Sequence, residues 1–239
     1  MFIGSKVVIV KEYKVTSNEL PNSFHGVKVV HISDILYNSL NEKDLNTIQK
    51  KINELKPDII VFTGNLKKVE LELSKKEIEI LENFFKDLNA SLEKYAIIGN
   101  KDDDSFYVIM ENSNFKVMNN KQENLYQKDS NPIEIIGFDT NNLNFENLKK
   151  ENYSICLFSN PDKINDIWKN ISCNLALAGE TLGGEIKLFN KPLLDDHKYN
   201  SEYSKIENGE FYISNGLGNE INVRYFNHPA INFYRLTKY

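Results

Sequence analysis

The chain has 239 residues, 41% hydrophobic and 26% charged, with a net charge of −5 and a pI near 5.5. That length gives one large α/β domain with a sizeable core, or two small ones. The acidic balance, with Arg224 and Arg235 the only arginines, gives no global case for nucleic acid and disfavours simple attraction to anionic membranes.

No run of 18 apolar residues encodes a transmembrane helix. The opening stretch from Met1 to Val10 is too short, and its Lys6 wrongly placed, for a signal peptide. A cytoplasmic or membrane-associated protein is therefore expected, with peripheral membrane contact left open. Residues 5–16 read as a first strand on a sheet edge. A turn-rich link with Pro21 follows, then the apolar run Val29-Val30-His31-Ile32-Ser33 leading into Asp34. Asn41 with Asp44 three residues on marks a helix start, and Leu45, Ile48, Ile52 and Leu55 recur on one helical face. Pro57-Asp58 ends that helix and opens Ile59-Ile60-Val61-Phe62-Thr63, which runs into Gly64-Asn65. This is a βαβ unit and predicts a parallel pair. Ser74 with Glu77 is a capping-box pattern, and Ile78, Leu81, Phe85 and Leu88 form the next buried stripe. A strand to Ile98 then delivers Gly99-Asn100-Lys101-Asp102.

The middle of the chain reads as a short helix from Phe106 to Met110 and strands at 115–118 and 133–138. Leu125 and Tyr126 sit in a possible hairpin strand between the last two. Ile155-Cys156-Leu157-Phe158 runs into Ser159-Asn160. Pro161 then opens a helix whose core face is Ile164, Ile167, Trp168 and Ile171. Leu175-Ala176-Leu177-Ala178 runs into Gly179-Glu180, and strand-like pieces follow at 185–189, 210–214 and 230–237. With βα units first and strands afterwards, a mostly parallel sheet facing a more antiparallel one is expected. No linker or repeat divides residues 1–239, so a single domain is expected. Five strand ends loaded with polar residues imply one shared crevice at their carboxyl ends.

Cys156 and Cys173 lie in or beside apolar runs and read as two buried thiols, since two cysteines make no disulfide framework. His31, inside an apolar strand, reads as a core histidine. Asp102-Asp103-Asp104 reads as a solvated, helix-capping turn, Gly183-Gly184 as a tight turn, and Asn227-His228-Pro229 as a surface turn. No G-x-S-x-G or Cys–His pairing points to nucleophilic catalysis.

In order, the strand ends resemble the calcineurin-like metallophosphoesterases, in particular bacterial members that often carry a membrane anchor. The matching pieces are Ser33-Asp34-Ile35-Leu36, Thr63-Gly64-Asn65, Gly99-Asn100-Lys101-Asp102, Ser159-Asn160-Pro161-Asp162 and Gly179-Glu180-Thr181-Leu182-Gly183-Gly184. A segment from Tyr212 to Gly218 followed by Arg224 extends the match, which spans about residues 6–237. The resemblance implies a four-layer αββα sandwich, two mixed sheets flanked by helices. It also implies a pair of metal ions about 3.5–4 Å apart that clamp phosphate and activate water.

The residues at the implied ligand positions depart from that pattern. Asp34 and Asn100 match. Leu36 stands for a His, Asn65 for the bridging Asp, Lys101 for the catalytic His, Ser159 for a His, and Glu180 and Leu182 for the two late His. None of His25, His31, His197 and His228 falls at such a position. Leucine offers no lone pair, an amide bridges two cations poorly, and neutral imidazole is missing, so a lost dinuclear site is expected. The expected crevice is lined by Asp34, Asn65, Asn100, Lys101, Ser159 and Glu180. In it Lys101 acts as a tethered cation for Asp34 or Glu180. No cofactor is expected beyond, at most, one weakly held Mg²⁺ or Ca²⁺ on Asp34, Asn65, Asn100 and Glu180. The expected role is a pseudoenzyme that binds a partner protein or a phosphate-bearing ligand. The alternative is a phosphoesterase with a rebuilt mononuclear or metal-free site.

Overall fold

The computed structural model describes residues 7–69, 71–129, 131–182, 187–188, 191–192, 197–199, 201–207, 209–219 and 227–239. Strand β1 (Ile9–Thr16) leads through a single 3-10 turn at Asn22–Phe24 to β2 (Lys28–Ile32). Helix α1 (Glu42–Glu54) starts where the sequence placed it. Asn41 Oδ1 accepts from the Asp44 N–H at 3.0 Å, and Asp44 Oδ2 accepts from the Asn41 N–H at 3.1 Å. After β3 (Ile59–Phe62), helix α2 (Lys75–Lys86) has the same reciprocal cap through Ser74 and Glu77. Strand β4 (Glu93–Ala96) stops two residues short of the expected Ile98, because the Ile98 N–H turns to the Asn119 side chain at 3.1 Å.

Helix α3 (Asp104–Asn112) and strands β5 (Lys116–Val117), β6 (Lys121–Leu125), β7 (Ile133–Gly137) and β8 (Ser154–Phe158) follow. A 3-10 turn at Pro161–Lys163 opens α4 (Ile164–Asn170), and β9 (Leu175–Ala178) comes next. The remaining strands are β10 (Lys187–Leu188), β11 (Lys191–Pro192), β12 (Tyr203–Ile206), β13 (Gly209–Ile213) and β14 (Ala230–Thr237). Part of the 185–189 expectation, and the expectations for Gly183-Gly184 and Arg224, lie outside the described residues.

Two six-stranded sheets result, in the orders β1-β14-β2-β3-β4-β5 and β12-β13-β9-β8-β7-β6. In the first, the pairing of β14 with β2 is antiparallel and the rest are parallel. In the second, β12–β13 and β6–β7 are antiparallel around a parallel centre, so it is the more antiparallel of the two. β1 lies on an edge, as expected.

The central strands are mostly apolar on both sides because each face meets a different core. In β2 and β3, Val29, Ile59 and Val61 point between the sheets, where they meet Ile133, Ile135, Ile155, Leu157, Leu175 and Leu177. Their alternates Val30, Ile32, Ile60 and Phe62 pack on Leu45, Ile48 and Ile52 of α1, Leu81 and Phe85 of α2, and Phe106, Ile109 and Met110 of α3. On the far side, Ile136, Cys156, Phe158, Ala176 and Ala178 pack on Ile164, Ile167 and Ile171. The layers are helix, sheet, sheet, helix. No helix among the described residues is long and apolar enough to cross a membrane.

One expectation is overturned in the outer core. Cys156 and Cys173 are joined as a disulfide, with Cα atoms 5.9 Å apart, rather than standing as two thiols. The parallel register of β8 and β9, which pairs Cys156 with Ala176, brings the two together.

Candidate functional site

The carboxyl ends of β2, β3, β4 and β9 converge, and backbone hydrogen bonds knit their loops. The Asp34 N–H donates to the Gly64 carbonyl at 2.9 Å and the Leu36 N–H to the Asn65 carbonyl at 3.2 Å. Leu217 and Gly218 donate to the carbonyls of Ser33 and Asp34 at 3.0 and 2.7 Å, so the segment after β13 closes one wall. The crevice therefore lies along the shared rim of two facing sheets, not on one open sheet.

Backbone strain is concentrated here. Asp34, Leu36, Asn65, Glu180 and Leu182 all have φ between 46° and 71°, a region that costs a side chain about 1 kcal/mol or more. Gly64, at φ 86°, backs directly onto the Gly99 backbone, where a Cβ would collide.

Asp34 is fully buried at the centre. Its Oδ2 accepts from Ser33 Oγ at 2.5 Å and the Glu180 N–H at 3.0 Å, and its Oδ1 from Asn65 Nδ2 at 2.7 Å. Burial raises its pKa, against the opposing pull of the Ser33 and Asn65 hydrogen bonds and the Lys101 charge. Asn65 Oδ1 accepts the Lys101 N–H at 3.2 Å. Across the crevice, Asn100 Nδ2 donates to Glu180 Oε1 at 2.6 Å. Ionised carboxylates only accept, and in that form both amides present their nitrogens to the acids.

Glu180 is buried, and its Oε2 has no hydrogen-bond partner; neither does the buried Thr181 Oγ1. Burial, then the nearby Asp34 carboxylate, pushes Glu180 up to about 7, with His197 and Lys101 opposing. The charge of Lys101 thus acts on both Asp34 and Glu180.

The other expected crevice residue, Ser159, is buried but shares its hydroxyl with Thr140 Oγ1 at 2.6 Å. It joins the crevice only through its carbonyl, which accepts the Gly179 N–H at 3.0 Å. Leu36 and Leu182 are buried apolar side chains.

Two expectations about neighbouring residues need correcting. Asp103 and Asp104 are exposed as expected, but Asp102 is half-buried and not simply solvated. Its carboxylate gathers the N–H groups of Asn65, Leu66 and Gly99 at 2.9, 2.6 and 2.8 Å, pinning the β3 and β4 loops together. Burial lifts it to about 6 against those three donors. Asp103 does cap α3, and it pairs with Lys67 at 3.1 Å. Asn227 is not in a surface turn either. It is buried, accepting from Asn215 Nδ2 at 2.5 Å and donating to the Leu182 carbonyl at 2.7 Å.

Sequence reasoning missed His197. Its Nδ1 lies 3.0 Å from Asp162 Oδ2, while Asp162 Oδ1 accepts the Tyr199 N–H at 3.0 Å. Both His197 and Asp162 act electrostatically on Glu180. No local pattern around His197 signals this, because its partner lies 35 residues earlier in the chain.

A double sheet with its polar strand ends gathered on one rim, built on βα units, defines a phosphoesterase-type sandwich. Residues 27–214 match the Calcineurin-like phosphoesterase family, and the chain belongs to that family. It is similar to the uncharacterized metallophosphoesterase YkuE of Bacillus subtilis, with 29% identity over 98% of this chain and 87% of that protein. A shorter stretch is similar to the UDP-2,3-diacylglucosamine pyrophosphatases LpxG of Chlamydia muridarum and Chlamydia trachomatis. Identity there is 40% and 39%, each over 35% of this chain and 26% of the relative.

Proposed function

We propose that this member of the family acts by binding rather than by hydrolysis, its crevice holding a partner or ligand without a dinuclear metal centre. The observation that carries the reading is the pair of amide donors. Asn65 Nδ2 on Asp34 and Asn100 Nδ2 on Glu180 occupy carboxylate lone pairs that a divalent cation would need. Leu36 and Leu182 add no donor atom, and Lys101 places an ammonium charge beside both acids. The donor set does not fit two divalent ions. Backbone strain is nevertheless concentrated at the crevice, which supports a functional use of it.

The test is metal content by mass spectrometry after purification in Mn²⁺ and Zn²⁺. We expect less than one ion per chain; two tightly held ions would overturn the reading. A second reading is favoured by the relatives' names, metallophosphoesterase and pyrophosphatase. It is a working phosphoesterase with a rebuilt mononuclear or metal-free site on Asp34, Asn100, Lys101 and Glu180. Turnover of a generic phosphodiester, abolished by Asp34→Ala, would establish it; no turnover across metals and pH would remove it.

A further inference from the structure

In a dinuclear phosphoesterase the crevice attracts phosphate only because two divalent ions overcompensate the acids that hold them. Without the ions the sign of the site reverses. Here Asp34 and Asp162 both act on Glu180, and against them stand Lys101 and the imidazole of His197. Lys101 offsets one carboxylate, and His197 is already engaged with Asp162 at 3.0 Å. Asp102 adds a further acid behind the β3 and β4 loops.

Among these groups, Glu180 Oε2 and Thr181 Oγ1 are oxygens on side chains more than nine-tenths buried, and neither has a partner. Leaving a buried acceptor unmatched costs about 1–3 kcal/mol, and more for a charged one. The rest of Glu180 is fixed: Oε1 is held by Asn100 at 2.6 Å and its N–H by Asp34 at 3.0 Å. When ionised, Glu180 Oε2 can be matched only by a donor, whereas Thr181 Oγ1 can donate or accept. A phosphate brings negative charge to a carboxylate that already has Asp34 and Asp162 near it, which opposes its binding. An ammonium or guanidinium group offers N–H donors and the missing positive charge.

We propose that the crevice is a site for an organic cation, an ammonium or guanidinium head, received by Glu180 Oε2 and Thr181 Oγ1. The inference rests on the metal-free reading above. The cation comes either from a free amine or from a basic side chain of a partner protein.

The test is calorimetric titration of the full, EDTA-treated chain at low salt. Methylguanidinium, spermidine and a short peptide with one arginine are compared with inorganic phosphate and phenyl phosphate. We expect the cationic probes to bind and the phosphates not to. Glu180→Gln should weaken the cation by about tenfold or more, as loss of a charge-assisted hydrogen bond does. Lys101→Met, which removes the competing charge, should tighten it by about threefold. Preference for spermidine identifies a free amine as the source, and preference for the peptide identifies a partner side chain.

Phosphate binding by the metal-free chain without cation binding would overturn this inference and leave the metal-free reading intact. Cation affinity unchanged by Glu180→Gln would also overturn it. If that variant fails to fold, Lys101→Met decides, and unchanged or weaker cation binding sinks the proposal. Two ions per chain retained before EDTA treatment would instead overturn the metal-free reading, and this one with it.

Discussion

His31 shows how burial sets the behaviour of a single residue. It is fully buried on β2, with Nε2 2.8 Å from Thr63 Oγ1 and Nδ1 unmatched. Burial drags its pKa down from 6.5 to about 3. The folded imidazole stays neutral while the unfolded one takes a proton, so its stabilising contribution is present above pH 6.5 and falls away between 6.5 and 3. Glu180 and Asp102 work in the opposite direction. Their raised values favour the fold as pH falls and cost stability as pH rises through about 7 and 6. Comparing wild type with His31→Gln isolates the histidine. Between pH 7.5 and pH 5 the wild type should lose about 2 kcal/mol more than the variant, read from urea unfolding at both pH values. At this scale the sequence was uneven. His31 was legible because it sits inside an apolar run. Asp102 was not, because its three N–H partners come from the ends of two strands.

Among elements, the helices were the most legible. A reciprocal cap needs only four consecutive residues, and both Asn41–Asp44 and Ser74–Glu77 form one. Asn41→Ala and Ser74→Ala should each destabilise by about 1 kcal/mol, the usual cost of an N-cap, and together by about the sum. Thermal unfolding of the single and double variants checks this. The buried strands were equally plain, since each is apolar on both faces. β12 was missed: Tyr203–Ile206 is an edge strand whose alternating exposed and half-exposed residues resemble a loop. The strand ends foretold the crevice, but not that its rim is shared by two sheets. That depends on how β9 and β13 face β2 and β3, which no local pattern encodes.

For the whole molecule, the Cys156–Cys173 bond ties β8 to the chain entering β9, with α4 inside the loop it closes, at a sequence separation of 17. Closing a loop of that length restricts the unfolded chain by about 3 kcal/mol. Unfolding in urea with and without reductant should differ by about that amount, and a Cys156→Ala/Cys173→Ala variant should be insensitive to reductant. The first sheet carries another long-range dependence. β14 lies between β1 and β2, and its residues 230–237 pair with residues 9–16 on one side while residues 232–235 pair with residues 28–31 on the other. A nascent chain leaving the ribosome exposes β1 and β2 about two hundred residues before the strand that joins them is synthesised. Until then β1 has no neighbour in that sheet and β2 keeps an open side, so this half of the protein closes only once β14 has been made.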